Sequence, residues 1–263
     1  MKIFFVYSSG SYEIPLRTNN VPIMFSWINS KNDPSFDDAI PSGFPAVMID
    51  SGGFQLQSGI RLNRELTIKH YGLWLELMLG KHPEVEAYMN LDIRGDNETT
   101  AKNQAYLESL GLHPLPVWHL GDSDELLRSY VNKYEWIALG GFVGASAGKP
   151  TIRRVFNRIK QEFGDGHKFH FLGLGISGTS VFRTFRPYST DCSTWTSPVR
   201  FGMEIILTKE KLLKEVTTSP EDSERIRNDR VFKIEVLTRT VRLIKEFGES
   251  IENLNDPFQM SLL

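Results

Sequence analysis

The sequence predicts an α/β protein, a (β/α)8 barrel followed by a C-terminal helical extension. Three observations lead there. Eight short apolar runs alternate with helix-like segments along the first two hundred residues. The chain of 263 residues is long enough for one such barrel. Acids and glycines recur just after the apolar runs, where barrel enzymes carry their chemistry. A doubly wound open sheet gives a similar alternation and stays open as an alternative fold. The barrel is expected over 1–205 and the packed C-terminal helices over 206–263.

The expected strands are 2–8, 23–28, 46–50, 86–92, 115–119, 136–140, 168–173 and 188–192. Most are short and continuously apolar, as strands buried on both faces are. The connections 10–22 and 29–45 are rich in turn formers, and no full helix is expected in either. Over 63–79, Ile68, Tyr71, Leu75 and Met78 recur at helical spacing. Asp96 is placed to cap a helix over 97–110. The helix expected over 122–134 opens on Asp-Ser-Asp-Glu, which complements the helix dipole. The segment 151–163 is basic and amphipathic, and 178–185 is a short piece of unsettled type. Beyond Gly202 the chain is charged, and a helical pair is expected over 209–216 and 223–247. The tail 253–263 is expected to be loose.

Net charge is −2, so no global field draws in a polyanion, and a nucleic-acid site requires a local basic patch. Cys192 is the only cysteine, which rules out an internal disulfide and a multi-cysteine zinc site. No cofactor and no metal are expected. The N-terminal apolar run is too short for a signal peptide and reads as a first strand. No stretch approaches the roughly 18 apolar residues of a membrane span, so no membrane partner is expected. A cytoplasmic location fits.

The expected strand ends converge on one rim. The third ends in Asp50-Ser51-Gly52-Gly53-Phe54-Gln55, the fourth in Asn90-Leu91-Asp92, the fifth in Trp118-His119. The sixth ends in Gly140-Gly141, the seventh in Gly173-Leu174-Gly175, the eighth in Asp191-Cys192. Singly, each acid could cap a turn, His119 could be a satisfied core histidine, and the glycines could serve tight turns. Jointly, three acids in one strand-end register suit glycosidic exchange. One carboxylate attacks the anomeric carbon, and a second acid moves a proton to and from the base. A third accepts from the donor edge of guanine. Glycine backbone approaches a flat base closely, and an aromatic such as Phe54 stacks on it.

The string DSGGFQ at 50–55 resembles the signature of tRNA-guanine transglycosylases. WIALGGFVG at 136–144 is similar to their Gly-Gly base-contact loop, HFLGLG at 170–175 to their seventh-strand segment, and DCSTWTSPVRFG at 191–202 to their eighth. The order and rough spacing match over about residues 40–202. The resemblance implies that Asp50 is the general acid/base and Asp191 the nucleophile. It implies that Ser51, Gly53, Phe54, Asp92, His119, Gly140, Gly141 and Gly175 form the substrate site. Phe54 would stack on the base, Asp92 read the guanine edge, and Gly140 and Gly141 present backbone groups. His119 stands where that family usually carries Gln. The family's zinc ligands after the barrel are missing, and Ser193-Thr194-Trp195 replaces its Pro-Thr-Arg run.

These departures, with LDIRGD and PVWHLGD, look like the short zinc-free relatives of phages and DNA-modification clusters, the 7-deazaguanine DNA transglycosylases. That branch implies exchange of guanine in DNA for a free 7-deazaguanine base such as 7-cyano-7-deazaguanine, in a host cytoplasm if the chain is phage-encoded. The alternatives are a tRNA-guanine transglycosylase without zinc, or a non-catalytic base-binding or accessory subunit; a helper protein is a possible partner. A base inside a duplex must be flipped out before a barrel rim can reach its sugar. The expected nucleic-acid contacts are Arg183, Arg186 and Arg200, near the active rim. Lys149, Arg153, Arg154, Arg158 and Lys160 form a second basic group that equally suits a solvated helix face.

Overall fold

Strands and helices alternate through the computed structural model in the order the apolar runs predict. It describes residues 1–29, 40–53, 64–142, 149–164, 167–173, 179–182, 185–210 and 212–253. Strand β1 (Lys2–Val6) leads to helix α1 (Glu13–Thr18), then β2 (Ile23–Ser26) and β3 (Val47–Asp50). Helix α2 (Arg64–Lys81) precedes β4 (Val85–Tyr88), and α3 (Asn97–Ser109) precedes β5 (Val117–His119). Next come α4 (Asp124–Lys133), β6 (Trp136–Gly140), α5 (Lys149–Phe163) and β7 (Lys168–Phe171). Helix α6 (Thr179–Phe182), β8 (Ser189–Cys192) and α7 (Ser197–Phe201) follow. The chain then forms β9 (Met203–Leu207), β10 (Leu213–Thr217), α8 (Pro220–Asn228) and α9 (Arg230–Asn253).

The first eight strands belong to an eight-stranded sheet, and their paired registers are parallel. Backbone contacts divide the chain into two units, Met1–Val21 with Phe142–Leu263, and Pro22–Gly141.

In the unit Pro22–Gly141, β2 pairs with β3 and β3 with β4, while β5 pairs with β6. A parallel bridge between Met89 and Leu115 joins the two groups, with Asn90 N–H donating to Leu115 O at 2.9 Å and Leu115 N–H to Tyr88 O at 2.8 Å. Strand β4 is therefore shorter than the expected 86–92, and Asp92 lies in the loop beyond it. Val47, Met48 and Ile49 are fully buried, which is why β3 reads as an unbroken apolar run. Helix α2 turns Tyr71, Trp74, Leu75 and Met78 inward. Trp27 packs on Tyr71 with ring centroids 4.9 Å apart.

In the other unit, β8 lies between β1 and β7. Connection 10–22 holds a single 3-10 turn and the six-residue α1, in line with the turn-rich sequence. Helix α5 buries Phe156 and Ile159 and exposes Arg153, Arg154 and Arg158. Phe156 meets Phe171 edge-on at 4.4 Å. Helix α9 buries Leu237, Val241, Ile244, Phe247 and Ile251 and packs on α1 and β1. Each such side chain stabilises the fold by about 1.5–3 kcal/mol.

The helix expected over 209–216 is not there. β9 and β10 form an antiparallel hairpin, with Ile205 opposite Glu215 and Leu207 opposite Leu213. Thr208 N–H donates to Leu212 O at 2.9 Å and closes the connection. The Lys- and Glu-rich composition favours helix locally, but cross-strand pairing decides the outcome. The expected loose tail from residue 254 onward lies outside the described residues. Among the described residues, no helix is long and apolar enough to cross a membrane.

Candidate functional site

Asp50 closes β3, opposite Ser26 of β2 in register. The apolar part of the strand is sealed, and the carboxylate emerges half-buried at its end. Gly52 adopts φ 80°, a left-handed turn that glycine accepts without strain. Its N–H donates to Asp50 Oδ1 at 3.2 Å, so the acid also holds its own turn. Ser51 is fully buried, and its hydroxyl has no hydrogen-bond partner among the described residues. Gly53 lies against Asp92. A methyl group there would stand 2.3 Å from the Asp92 carbonyl oxygen and 2.9 Å from its Oδ1. Only glycine lets these two loops meet. Phe54 lies outside the described residues.

The loop bearing Asp92 is pinned from α3. Asn103 donates to Leu91 O at 2.7 Å, Asn90 to Thr100 O at 3.0 Å, and Ile93 N–H to Thr100 Oγ1 at 2.9 Å. Asp92 thereby reaches His119, whose Nε2 lies 2.8 Å from Asp92 Oδ2. On the other side Asp122 Oδ2 accepts from the His119 backbone N–H at 2.8 Å and lies 3.7 Å from its Nδ1. Burial draws the imidazole pKa down. Bonds to Asp122 and Asp92, with their charges, outweigh it and raise the pKa to about 9. His119 is thus an imidazolium at neutral pH, held between two carboxylates. Its Nε2 edge is taken by Asp92 rather than turned to a ligand.

Gly140 and Gly141 complete this group. Gly140 O accepts from Leu120 N–H at 3.0 Å. Gly141 has φ 80°, and a Cβ there would stand 3.0 Å from Leu120 N. Beneath the acids, Tyr71 donates to Met89 O at 2.8 Å. Burial, then the charges of Asp50, Tyr88 and Asp92, hold its phenol well above the usual range, so it stays neutral. The unit Pro22–Gly141 therefore brings together Asp50, Ser51, Gly53, Asp92, His119, Gly140 and Gly141.

Asp191 belongs to the other unit. It lies in β8, is 6% exposed, and its Oδ1 accepts from Gly173 N–H at 2.6 Å. His170, on β7, directs Nε2 toward the same oxygen at 3.7 Å. Burial pushes the neighbouring Cys192 thiol up to about 11; a contact to Thr194 opposes the rise and the Asp191 charge adds to it. Cys192 is therefore a neutral thiol and a poor nucleophile, whereas Asp191 has one side-chain oxygen anchored. Trp195 is fully buried and its indole N–H donates to Val6 O at 3.0 Å. It serves packing.

Of the basic candidates, Arg200 is exposed and its guanidinium lies 5.1 Å from the centre of the exposed Phe201 ring. Arg186 is half-buried. Arg183 and Gly175 lie outside the described residues. Among the described residues no group of three or more His, Cys, Asp and Glu side chains could hold a metal ion.

Sequence reasoning missed Asp122 and His170. Asp122 had a signal, the short spacing in PVWHLGD. His170, an isolated polar residue in the apolar seventh strand, carries no such signal.

The chain matches no family model, and it matches no curated protein.

Proposed function

We propose that this chain is a (β/α)8-barrel transglycosylase that replaces guanine in DNA by a 7-deazaguanine base such as 7-cyano-7-deazaguanine. The observation that carries the reading is the Asp191 carboxylate at the end of a parallel strand, with Oδ1 anchored by Gly173 N–H at 2.6 Å. An anchored carboxylate presents its second oxygen in a fixed direction, which is what in-line attack on a sugar carbon needs. The alternation of parallel strands and helices supports the barrel frame.

In this mechanism Asp191 Oδ2 attacks C1′ of a flipped-out nucleotide. The C1′–N9 bond breaks, and Asp50 gives a proton to the departing guanine. The incoming deazaguanine loses its N9 proton to Asp50 and attacks C1′, and the C1′–O bond to Asp191 breaks. Asp50 ends the cycle protonated, as it began. Asp92 has one oxygen on His119 and offers the other to the N1–H and N2–H donors of the base. The imidazolium holds Asp92 in place through that contact.

Trapping tests the reading. Native protein incubated with DNA and no acceptor base is expected to give a denaturation-resistant protein–DNA adduct, and Asp191→Ala none. An adduct of undiminished yield in Asp191→Ala contradicts the assignment. An adduct with tRNA and none with DNA would move the substrate to tRNA.

A further inference from the structure

We propose that His170 is a positioning residue for Asp191, supplying from Nε2 a second hydrogen bond to Oδ1 beside that of Gly173 N–H. The inference rests on the reading of Asp191 as nucleophile. His170 has no exposed surface, and its ring is fixed on two sides. Nδ1 lies 2.9 Å from Ser189 Oγ, its register partner on β8, and the ring meets Phe4 of β1 edge-on at 6.1 Å. Nε2 has no hydrogen-bond partner among the described residues, although an unmade bond on a buried polar atom costs about 1–3 kcal/mol. The polar group it faces is Asp191 Oδ1, at 3.7 Å.

That distance is too long for a hydrogen bond in the resting protein. Catalytic bonds are often long without substrate and tighten when it is engaged. Here the tightening needs a shift of well under about 1 Å. We assign the donor of the Ser189 contact to the hydroxyl, which places the imidazole proton on Nε2, facing the carboxylate. Oδ1 then accepts from Gly173 N–H and His170 Nε2–H together. The carboxyl plane is set by two donors instead of one, and Oδ2 is left to attack. The role is one of orientation, so its loss acts on the rate of bond making and not on the affinity for nucleic acid.

Two substitutions separate the ring's two edges. His170→Asn carries an amide at about the depth of Nδ1 and nothing at Nε2. His170→Gln carries an amide that reaches the depth of Nε2. With saturating DNA, His170→Asn is expected to slow adduct formation by about a hundredfold, with affinity within about twofold of native. His170→Gln is expected to recover to within about tenfold of native. A native rate in His170→Asn, or equal slowing in both variants, overturns the proposal. Adduct formation by Asp191→Ala would instead overturn the assignment of the nucleophile. A measurement on the native protein needs neither turnover nor a variant at 170. Imidazole nitrogen spectra are expected to show His170 protonated at Nε2, with that resonance moved by Asp191→Asn. A ring protonated at Nδ1 alone overturns the proposal.

Discussion

His119 carries a charge that only its two carboxylate neighbours keep in place. Its pKa, raised to about 9, lies above the ordinary imidazole value near 6.5. The folded state therefore holds a proton that the unfolded chain gives up across that interval. The stabilisation is complete below about pH 6.5 and is lost as pH rises through about 9. Denaturant unfolding at a series of pH values is expected to show stability falling across this window, and His119→Gln to flatten the fall. Stability that rises with pH over the same window, and does so through His119, contradicts the imidazolium. A second residue-scale prediction concerns Gly53. The β-carbon of Gly53→Ala would meet the Asp92 carbonyl oxygen at 2.3 Å, closer than any real contact. The substitution is expected to cost about 1–3 kcal/mol in chemical unfolding and to lower activity, because the Asp92 loop must move. Unchanged stability would mean that the two loops do not meet as described.

Helix α3 shows how an element holds a functional loop. Asp96 caps it, accepting from Thr99 N–H at 3.0 Å and Thr99 Oγ1 at 2.8 Å. The same first turns send Asn103 to Leu91 and Thr100 to Ile93, on either side of Asp92. Asp96→Ala is expected to destabilise the protein by about 1 kcal/mol, and hydrogen exchange is expected to quicken at Ile93 with the helix start. This cap was legible in advance, because Asp before a polar-then-apolar run is a local signal. So were most of the sheet strands, since burial on both faces leaves apolar runs. The hairpin β9–β10 was not legible. Its Lys and Glu residues favour helix locally, while its pairing is made across the turn. Strand ends were less legible than strand centres: β4 stops at Tyr88 although apolar residues continue through Leu91 and Ile93. The contact between His119 and Asp92 was hidden for a related reason: the fold brings the two together across 27 residues.

For the whole molecule, a net charge of −2 leaves nucleic-acid attraction to local groups. Arg200, exposed beside the exposed ring of Phe201, is such a group. Arg200→Ala is expected to weaken DNA binding at every sequence and to reduce the magnitude of the salt slope of log affinity by about one. An unchanged slope would remove Arg200 from the interface.

The exchange reaction itself gives the decisive result. DNA carrying labelled guanine, incubated with this protein and free 7-cyano-7-deazaguanine, is expected to release label and gain the deazaguanine in equal amounts. Asp191→Ala is expected to do neither. Release that persists in Asp191→Ala, or no release from DNA or tRNA with the native protein, contradicts the transglycosylase.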